Sequence, residues 1–334
     1  MTRFVVATLG MVALLALAMG LGGHWPLLAL LYITVITYFL DKITALAAPD
    51  KPDAEFPAGD GLATFLGLVH FPLLFGGVWT LAAGDQNTTN KAMIFIALSL
   101  FLGQVGNSNA HELIHRAARP LRRLGVAVYA TILFGFHASA HLHVHHVHAA
   151  TEHDPNSARL GQSFYSFAPR AWWGALRLGF LAETKRYKGG WHPYMTYGLW
   201  ALFALCLSIA LAGPGGILAL IGLSLYAQMQ LLLSDYVQHY GLRRKRSDTR
   251  LEPVGPQHSW NAPNPFSSAL MLNAPRHSDH HAHPTRPYPG LELDRAAMPI
   301  LPHSLPVMAV VALVPPVWRR IMDKRARVWA NPRP

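Results

Sequence analysis

Long apolar runs dominate residues 4–110 and 196–236, and few polar positions interrupt them. Because the runs lack the alternation of strands and the one-sided spacing of surface helices, they predict membrane-spanning helices. Each run is roughly 15–21 residues long, against about 20 needed to cross a hydrocarbon core of about 30 Å. The expected fold is an all-α integral membrane domain with about six transmembrane helices, near residues 4–22, 26–40, 62–82, 92–110, 196–212 and 216–236.

The polar segments between the runs predict the domain organisation. Residues 41–60 are charged and contain three prolines, which predicts a loop. Residues 111–195 and 237–334 contain no clean span, so they are expected to form a catalytic cap within one membrane-bound domain covering residues 1–334. The first run has the outline of a secretory signal, but its length and the short link that follows favour a helix hairpin.

Basic residues predict the orientation of these helices. The expected outer links at 23–25, 83–91 and 213–215 contain only Lys91 of the 28 lysines and arginines. Since basic loops stay in the cytoplasm, both termini and the cap are expected on the cytoplasmic side. The net charge of +11 is concentrated near span ends. This favours contact with anionic membrane lipid or an acidic protein partner, and no nucleic-acid role is expected.

Histidines carry the candidate chemistry. Sixteen of the 19 lie between His111 and His283, and six of these fall within residues 137–148. Neutral imidazole is the commonest metal ligand, and residues four apart share a helix face. His141 and His145 are therefore expected to bind one ion while His146 faces a second.

The number of imidazoles implies two metal ions, because one tetrahedral zinc ion takes only four ligands. Imidazole suits several metals, and iron suits redox chemistry best, while spacing alone leaves zinc open. The single cysteine, Cys206, excludes a disulfide framework and a cysteine-ligated cluster. His111-Glu112-x-x-His115 also matches a zinc metalloprotease signature with Glu112 as base, but that interpretation leaves the other histidines unused.

The boxes His111-Glu112-x-x-His115, His141-x-x-x-His145-His146 and His277-x-x-His280-His281 resemble the eight-histidine pattern of the integral-membrane desaturases and hydroxylases. Within that superfamily, residues 150–165, 235–242 and 277–286 are similar to the bacterial membrane alkane 1-monooxygenases. The resemblance extends over about residues 34–325.

The resemblance implies two non-heme iron ions, O₂ as co-substrate, and the terminal carbon of a linear n-alkane as the target. It also implies electrons from a rubredoxin, supplied by a rubredoxin reductase, in a bacterial inner membrane. The implied iron ligands are His111, His115, His141, His145, His146, His277, His280 and His281, with His239 as a ninth.

Three positions depart from the family pattern. Ala140 and Gln238 stand where glutamates are usual, and Arg286-Pro287 stands where paired arginines are usual. Four carboxylates lie near enough in sequence to accept the remaining ring N–H groups and fix ring orientation. These candidate catalytic residues are Glu112, Asp154, Asp235 and Asp279. Seven histidines match no ligand position and are expected to support the site or lie on the surface: His137, His143, His148, His153, His192, His258 and His283.

Substrate and electron carrier lead to two further expectations. An alkane offers no hydrogen bond, so burial in a slot between spans must hold it, at about 0.8 kcal/mol per CH₂. The bulky residues expected to close that slot are Trp25, Tyr32, Tyr38, Phe65 and Trp79. The sequence has no flavin or nicotinamide fingerprint, so a separate reductase is expected. An acidic carrier is expected to dock on the basic face, where charge reversal at Arg243 and Arg244 would slow turnover at low salt.

Three other functions remain open. The same boxes occur in xylene-type monooxygenases, which hydroxylate alkylaromatic methyl groups, and in desaturases of lipids or acyl chains. A different class is a membrane metal-binding or transport protein. That class is disfavoured because transporters place their ligands within the spans, whereas these boxes lie at span ends and in the cap.

Overall fold

The computed structural model describes residues 1–44, 59–246 and 250–330. Most of the predicted loop at 41–60 therefore lies outside the described residues, and its two ends continue the neighbouring helices. The described part is all-helical, apart from two isolated β-bridges, Arg246 to Leu251 and Asn261 to Ile300. The predicted all-α membrane fold is confirmed.

Five helices are long and apolar enough to cross a membrane, and they match the predicted spans. They are Thr2–Leu21, Trp25–Thr44, Gly59–Ala82, Thr88–Ile114 and Pro193–Gln238. The second is longer than the predicted 26–40, because the polar end containing Asp41 and Lys42 stays helical. The last covers both final predicted spans in 46 residues.

The 46-residue helix is a hairpin of two arms. Its helical dihedral angles break at Ala212 and Gly213, and Gly213 has φ +59°, which favours glycine. Beyond the break, a Cβ added to Gly216 would overlap the carbonyl oxygen of Ser208, so the chain reverses there. A straight helix of this length would span about 69 Å, roughly twice a bilayer core, whereas each arm suits one crossing.

The remaining helices form the cap around the ends of the spans. None of those in the described ranges has the length and hydropathy of a span. Their bounds are Arg119–Thr131, Phe136–Ala140 continuing through the turns His141–His145 and His146–His148, Phe164–Arg186, Pro265–Leu270, His277–Ala282, Leu305–Ala312 and Pro315–Ala330, with short 3₁₀ turns at Pro256–His258 and Tyr288–Gly290.

Three of the helices contain a π-helical turn, in which main-chain hydrogen bonds join residues five apart. The turns are Tyr32–Ile36, Leu102–Gly106 and His141–His145. The second precedes the first histidine box and the third lies inside the second box. Both therefore set the direction in which box histidines point.

Contacts between the spans and the cap hold the cap in place. Phe4, in the first helix, is fully buried, and its ring packs edge-on against Tyr288 with centroids 4.9 Å apart. Asp41, at the end of the second helix, accepts hydrogen bonds from the main-chain N–H groups of Phe266 (3.0 Å) and Ser267 (2.8 Å). This carboxylate satisfies N–H groups that begin helix Pro265–Leu270. The N-terminal hairpin thus anchors the segment that leads to the third box.

Candidate metal centre

Nine histidines converge in two groups at the boundary between spans and cap. The first group contains His111, His115, His141, His146 and His280, and the second contains His145, His239, His277 and His281. Within each group, the potential ligand atoms all lie within 4.8 Å of one another. Every histidine expected to bind metal is in one of the two groups. The seven histidines expected to support the site or lie on the surface are in neither group. Each group could hold one metal ion.

The ring nitrogens of the first group are arranged around a common point. The Nε2 atom of His141 lies 2.8 Å from Nε2 of His111, 3.0 Å from that of His115 and 2.9 Å from that of His146. A single N–H on His141 can donate to only one of them, so the other lone pairs face one another. A metal ion with bonds of about 2.1 Å to each nitrogen would place neighbouring ligand nitrogens about 3 Å apart. The group therefore fits a cation.

The second group has the same character. Nε2 of His277 lies 2.9 Å from Nε2 of His239 and 3.1 Å from that of His281. His145 completes the group: its Nε2 is buried and has no hydrogen-bond partner among the described residues. A buried nitrogen aimed at three other imidazoles is costly unless a cation binds there. All-nitrogen ligand sets of this kind suit iron, zinc, copper and nickel.

The second box does not divide as predicted. His141 and His145 were expected to bind one ion, but His141 shares its group with His146, while His145 belongs to the other. The reason is the π-helical turn, which closes with the hydrogen bond from His146 N–H to the His141 carbonyl. Residues five apart, rather than four, then lie on one face.

The first and third boxes behave differently from each other. His111 and His115 are four apart near the end of helix Thr88–Ile114 and share one group, as α-helical spacing predicts. In helix His277–Ala282, His277 and His281 join the second group, whereas His280 lies on the adjacent face and joins the first. The third box therefore supplies both groups. Rings of the two groups are neighbours, with His146 and His281 centroids 4.8 Å apart.

Most histidines of the two groups are kept in the neutral form, which is the ligand form, by burial. Burial lowers the pKa of His115 to about 4, with His145 contributing, and the pKa of His277 to about 3 for the same two reasons. His145 is the exception: burial lowers its pKa, but the neighbouring Asp154 raises it by more. Burial, reinforced by neighbouring histidines, holds the pKa of His141 and His280 well below the usual range. Free lone pairs at neutral pH are a requirement for metal binding.

Asp154 is the one predicted carboxylate that contacts a histidine of either group in the described structure. Its Oδ2 lies 2.9 Å from His145 Nδ1 and accepts a hydrogen bond of 2.6 Å from the Ser157 hydroxyl. Its Oδ1 accepts the Asn156 main-chain N–H at 3.0 Å. Burial raises the pKa of Asp154, but His145 and these hydrogen bonds lower it by a larger amount. The pKa of Asp154 therefore falls below its usual value. The ionised carboxylate fixes His145 with Nε2 facing the second group.

The other three carboxylates have different partners, which corrects the expectation that they accept ring N–H groups of the boxes. Glu112 pairs with Arg116 at 2.8 Å and accepts the Tyr288 main-chain N–H. Asp235 accepts a hydrogen bond of 2.5 Å from the Asn156 amide. Asp279 binds the Arg286 guanidinium through both oxygens and contacts His283, which is in neither group. These side chains connect the segments that carry the boxes.

Asn156 and Ser157 were missed by sequence reasoning. Asn156 bridges Asp154 and Asp235, and the Ser157 hydroxyl also accepts the Ala150 main-chain N–H at 2.9 Å. The signal was their position directly after the Asp154-Pro155 turn, where short polar side chains stabilise the backbone. Together they connect the second box to the last span.

Comparisons with known proteins agree with this geometry. The fatty acid desaturase family model matches residues 90–311, which contain all nine histidines. Alkane 1-monooxygenase 2 of Pseudomonas aeruginosa is 32% identical over 322 residues, covering 91% of this chain and 85% of that protein. The chain belongs to the alkane 1-monooxygenase family. It is therefore an oxidoreductase of the monooxygenase type.

Two more relatives extend the comparison. Alkane 1-monooxygenase of Acinetobacter baylyi is 35% identical over 246 residues, 71% of this chain and 59% of that protein. The hydroxylase component of xylene/toluene monooxygenase from Pseudomonas putida is 28% identical over 281 residues, 78% of this chain and 73% of that protein.

Two residues that depart from the alkane 1-monooxygenase pattern, Ala140 and Gln238, make specific contacts in the structure. Ala140 packs closely on Gly179, since a Cβ at Gly179 would lie 3.1 Å from the Ala140 nitrogen. Gln238 donates to the Ala274 carbonyl at 3.1 Å and accepts from Ser234, so it holds the loop before His277. A glutamate could not make that donation.

A narrow cavity lies directly beside both histidine groups. It has a volume of about 70 Å³, and its walls include three box histidines, His111, His141 and His277, together with apolar residues such as Leu231 and Ala309. Complete small-molecule pockets are usually about 300 Å³ or more. Only one end of a hydrophobic substrate can therefore lie in it.

The residues predicted to close the substrate slot do not line this cavity, which holds only one end of the substrate. Phe65, Trp79 and Tyr38 are 47%, 48% and 43% exposed on outer helix faces, and Tyr32 bonds to main-chain carbonyls of the first helix. Trp25 packs at the start of the second helix, away from the cavity walls.

His137 is a cavity residue that sequence reasoning set aside. It lies one α-helical turn before His141, lines the cavity, and stacks on Phe134 with centroids 5.0 Å apart. Burial, with His145 nearby, lowers its pKa to about 3. It is a neutral aromatic wall next to the metal-binding groups.

Arg243 and Arg244, which were predicted to contact the electron carrier, are partly exposed and also bond to the backbone. Arg243 donates to the Leu242 carbonyl at 2.9 Å, and Arg244 donates to the Val147 carbonyl at 3.2 Å and to that of Glu252. Arg244 therefore supports the backbone just after the second box. Charge reversal at these two positions removes main-chain contacts as well as charge, so on its own it does not isolate carrier docking.

Proposed function

We propose that this protein inserts one oxygen atom from O₂ into the terminal C–H bond of a linear alkane, giving a 1-alkanol. The observation that carries the proposal is the pair of neighbouring all-histidine groups beside a narrow cavity. Two non-heme iron ions, one in each group, would supply the oxidising chemistry when bound. The alkane substrate is taken from the relatives, whose names specify that activity.

The chain's own residues have distinct roles in this proposal. His111, His115, His141, His146 and His280 hold one ion, and His145, His239, His277 and His281 hold the other. Asp154 keeps His145 in the required orientation and tautomer. The cavity admits a methyl end and limits water around it, because its exposed lining is mainly apolar.

Electron supply and location complete the proposal. The electrons come from a rubredoxin that its reductase keeps reduced, on the cytoplasmic face of a bacterial inner membrane. The distribution of basic residues supports that orientation, with both termini and the catalytic segments 111–195 and 237–334 inside. The whole chain then works as one membrane-bound domain.

Product analysis tests the reaction. Membranes containing the protein, with NADH, rubredoxin and its reductase, would receive n-octane, n-dodecane and p-xylene in equal amounts under ¹⁸O₂. We expect labelled 1-alkanol by gas chromatography and mass spectrometry. Labelled benzyl-type alcohol alone would instead support alkylaromatic hydroxylation, which the 28% identity to the xylene/toluene enzyme makes the second candidate. An unsaturated product without label would indicate desaturation.

Narrowing the cavity should slow hydroxylation of alkanes of every length, because each of them must place a methyl end in it. Ala309 lines the cavity from helix Leu305–Ala312, so Ala309→Leu reduces the room for that end. Each methylene left unburied costs about 0.8 kcal/mol, or about fourfold in kcat/KM, so kcat/KM for n-octane and for n-dodecane should both fall by at least that factor. The measurement is the formation of 1-octanol and 1-dodecanol from each alkane supplied separately. Val310→Phe is the control, because Val310 is on the outer face and 66% exposed; equal losses in both variants would contradict the assignment.

A further inference from the structure

A second cavity lies on the other side of the helix that carries the second box. It has a volume of about 570 Å³, and Ala138, Ser139 and Leu142 form part of its wall. His137 and His141, on the same helix, face the metal-side cavity instead. The volume is within the range of small-molecule pockets. The reaction proposed above uses none of this space.

Three arginines line one side of this second cavity. Arg119, Arg122 and Arg123 lie in the first turns of helix Arg119–Thr131, and all three are exposed. None of the three guanidinium groups has a hydrogen bond or ion pair with a described residue. Glu183 is the carboxylate in the wall, and it accepts a hydrogen bond of 2.6 Å from Ser139 and lies 3.5 Å from His143. The arginines therefore remain available to an anion.

Most of the remaining wall is apolar, and it lies at the level where spans end. Ile114 is the last residue of span Thr88–Ile114, and Pro193 is the first of the hairpin Pro193–Gln238. Trp191 and Trp200 flank the cavity, and Trp191 is 59% exposed. Tryptophan at a span end is typical of the membrane–water interface. The cavity thus has a cationic rim and an apolar interior at one membrane surface.

From this combination we infer that the second cavity binds an anionic phospholipid. The phosphate pairs with Arg119, Arg122 and Arg123, since guanidinium groups match phosphate oxygens in geometry and charge. An acyl chain lies along Val126, Leu142 and Trp200. A zwitterionic lipid has a cationic group that the three arginines repel, and a free phosphate leaves the apolar interior uncovered.

Lipid binding to the purified full chain tests the inference. Native mass spectrometry would count bound dioleoyl-phosphatidylglycerol, with dioleoyl-phosphatidylcholine and inorganic phosphate added separately at matched concentrations. We expect retention of phosphatidylglycerol only, and a loss of affinity on the order of tenfold or more in the triple variant Arg119→Gln, Arg122→Gln, Arg123→Gln. The control triple variant Arg319→Gln, Arg320→Gln, Arg327→Gln removes the same charge from an exposed helix face elsewhere and should bind normally.

A second variant separates a shaped site from diffuse attraction. Val126→Phe fills the cavity without changing charge, and it should also weaken phosphatidylglycerol binding; it decides the matter if the first triple variant does not fold. Equal losses in both triple variants, or unchanged binding in Val126→Phe, would refute the site. Equal binding of phosphatidylcholine would do so too, as would displacement of the lipid by phosphate at equal concentration.

Discussion

His277→Ala is expected to remove one iron ion from each chain and leave the other in place. Nε2 of His277 is within 3.1 Å of two other nitrogens in the second group, so the substitution removes the central ligand of that group. His141 holds the same position in the first group. His141→Ala should therefore also reduce the iron content from two to one, and the double variant should bind none. Metal analysis of purified protein by inductively coupled plasma mass spectrometry gives the count.

Activity should fall by more than about 100-fold in either single variant, because even residues that only support metal ligands cost 10–100-fold when removed. His143→Ala is the matched control. It lies between His141 and His145 in the same turn, belongs to neither group, and contacts Glu183. It should keep both ions and most activity. Loss of iron in His143→Ala, or of both ions in His277→Ala, would contradict two separate centres.

Asp154→Asn should weaken the second centre while leaving the fold intact. The asparagine keeps the size of the side chain but loses the negative charge that holds His145 Nδ1–H. We expect a 10- to 100-fold loss of metal affinity or activity, the usual effect of removing a carboxylate behind a metal-binding histidine. Iron retention during graded chelator treatment would measure this, and one ion should leave earlier than in the wild-type protein.

Asp85→Asn provides the comparison for Asp154. Asp85 is exposed in the link between two spans and has no partner among the described residues, so its replacement should change neither iron retention nor turnover. Asp279→Asn tests the alternative that any buried carboxylate near a box matters equally. Because Asp279 binds Arg286 and His283, its loss should lower thermal stability more than metal affinity. If Asp154→Asn and Asp279→Asn release iron alike, Asp154 has no special role.

Much of the membrane fold and the identity of the nine clustered histidines could be predicted from the sequence. Spans are long apolar runs, which can be recognised from the local sequence without knowing how the helices pack. The boxes stand out because ionisable imidazoles near the membrane are costly, so a cluster of them at span ends indicates a functional site. The hairpin turn was also visible, since Gly213 and Pro214 interrupt the longest apolar stretch.

The partners of side chains could not be predicted in the same way. Glu112, Asp235 and Asp279 are near the boxes in sequence, but their partners, including Arg116, Asn156 and Arg286, are set by how distant segments pack. The cavity walls depend on the same packing, so bulky aromatic residues in the first three spans were poor guides. Periodicity was misleading at the second box because a standard helical repeat was assumed there.

The π-helical turn at His141–His145 has a wider meaning for proteins of this kind. His145 would lie under His141 if the turn closed at the Leu142 carbonyl, and the imidazoles of this segment would then gather at a single point. The assignment of His141 and His145 to different groups thus depends on one main-chain hydrogen bond, from His146 to His141. Two chains with identical histidines would divide them differently between metal-binding groups, if one closed this turn after four residues and the other after five.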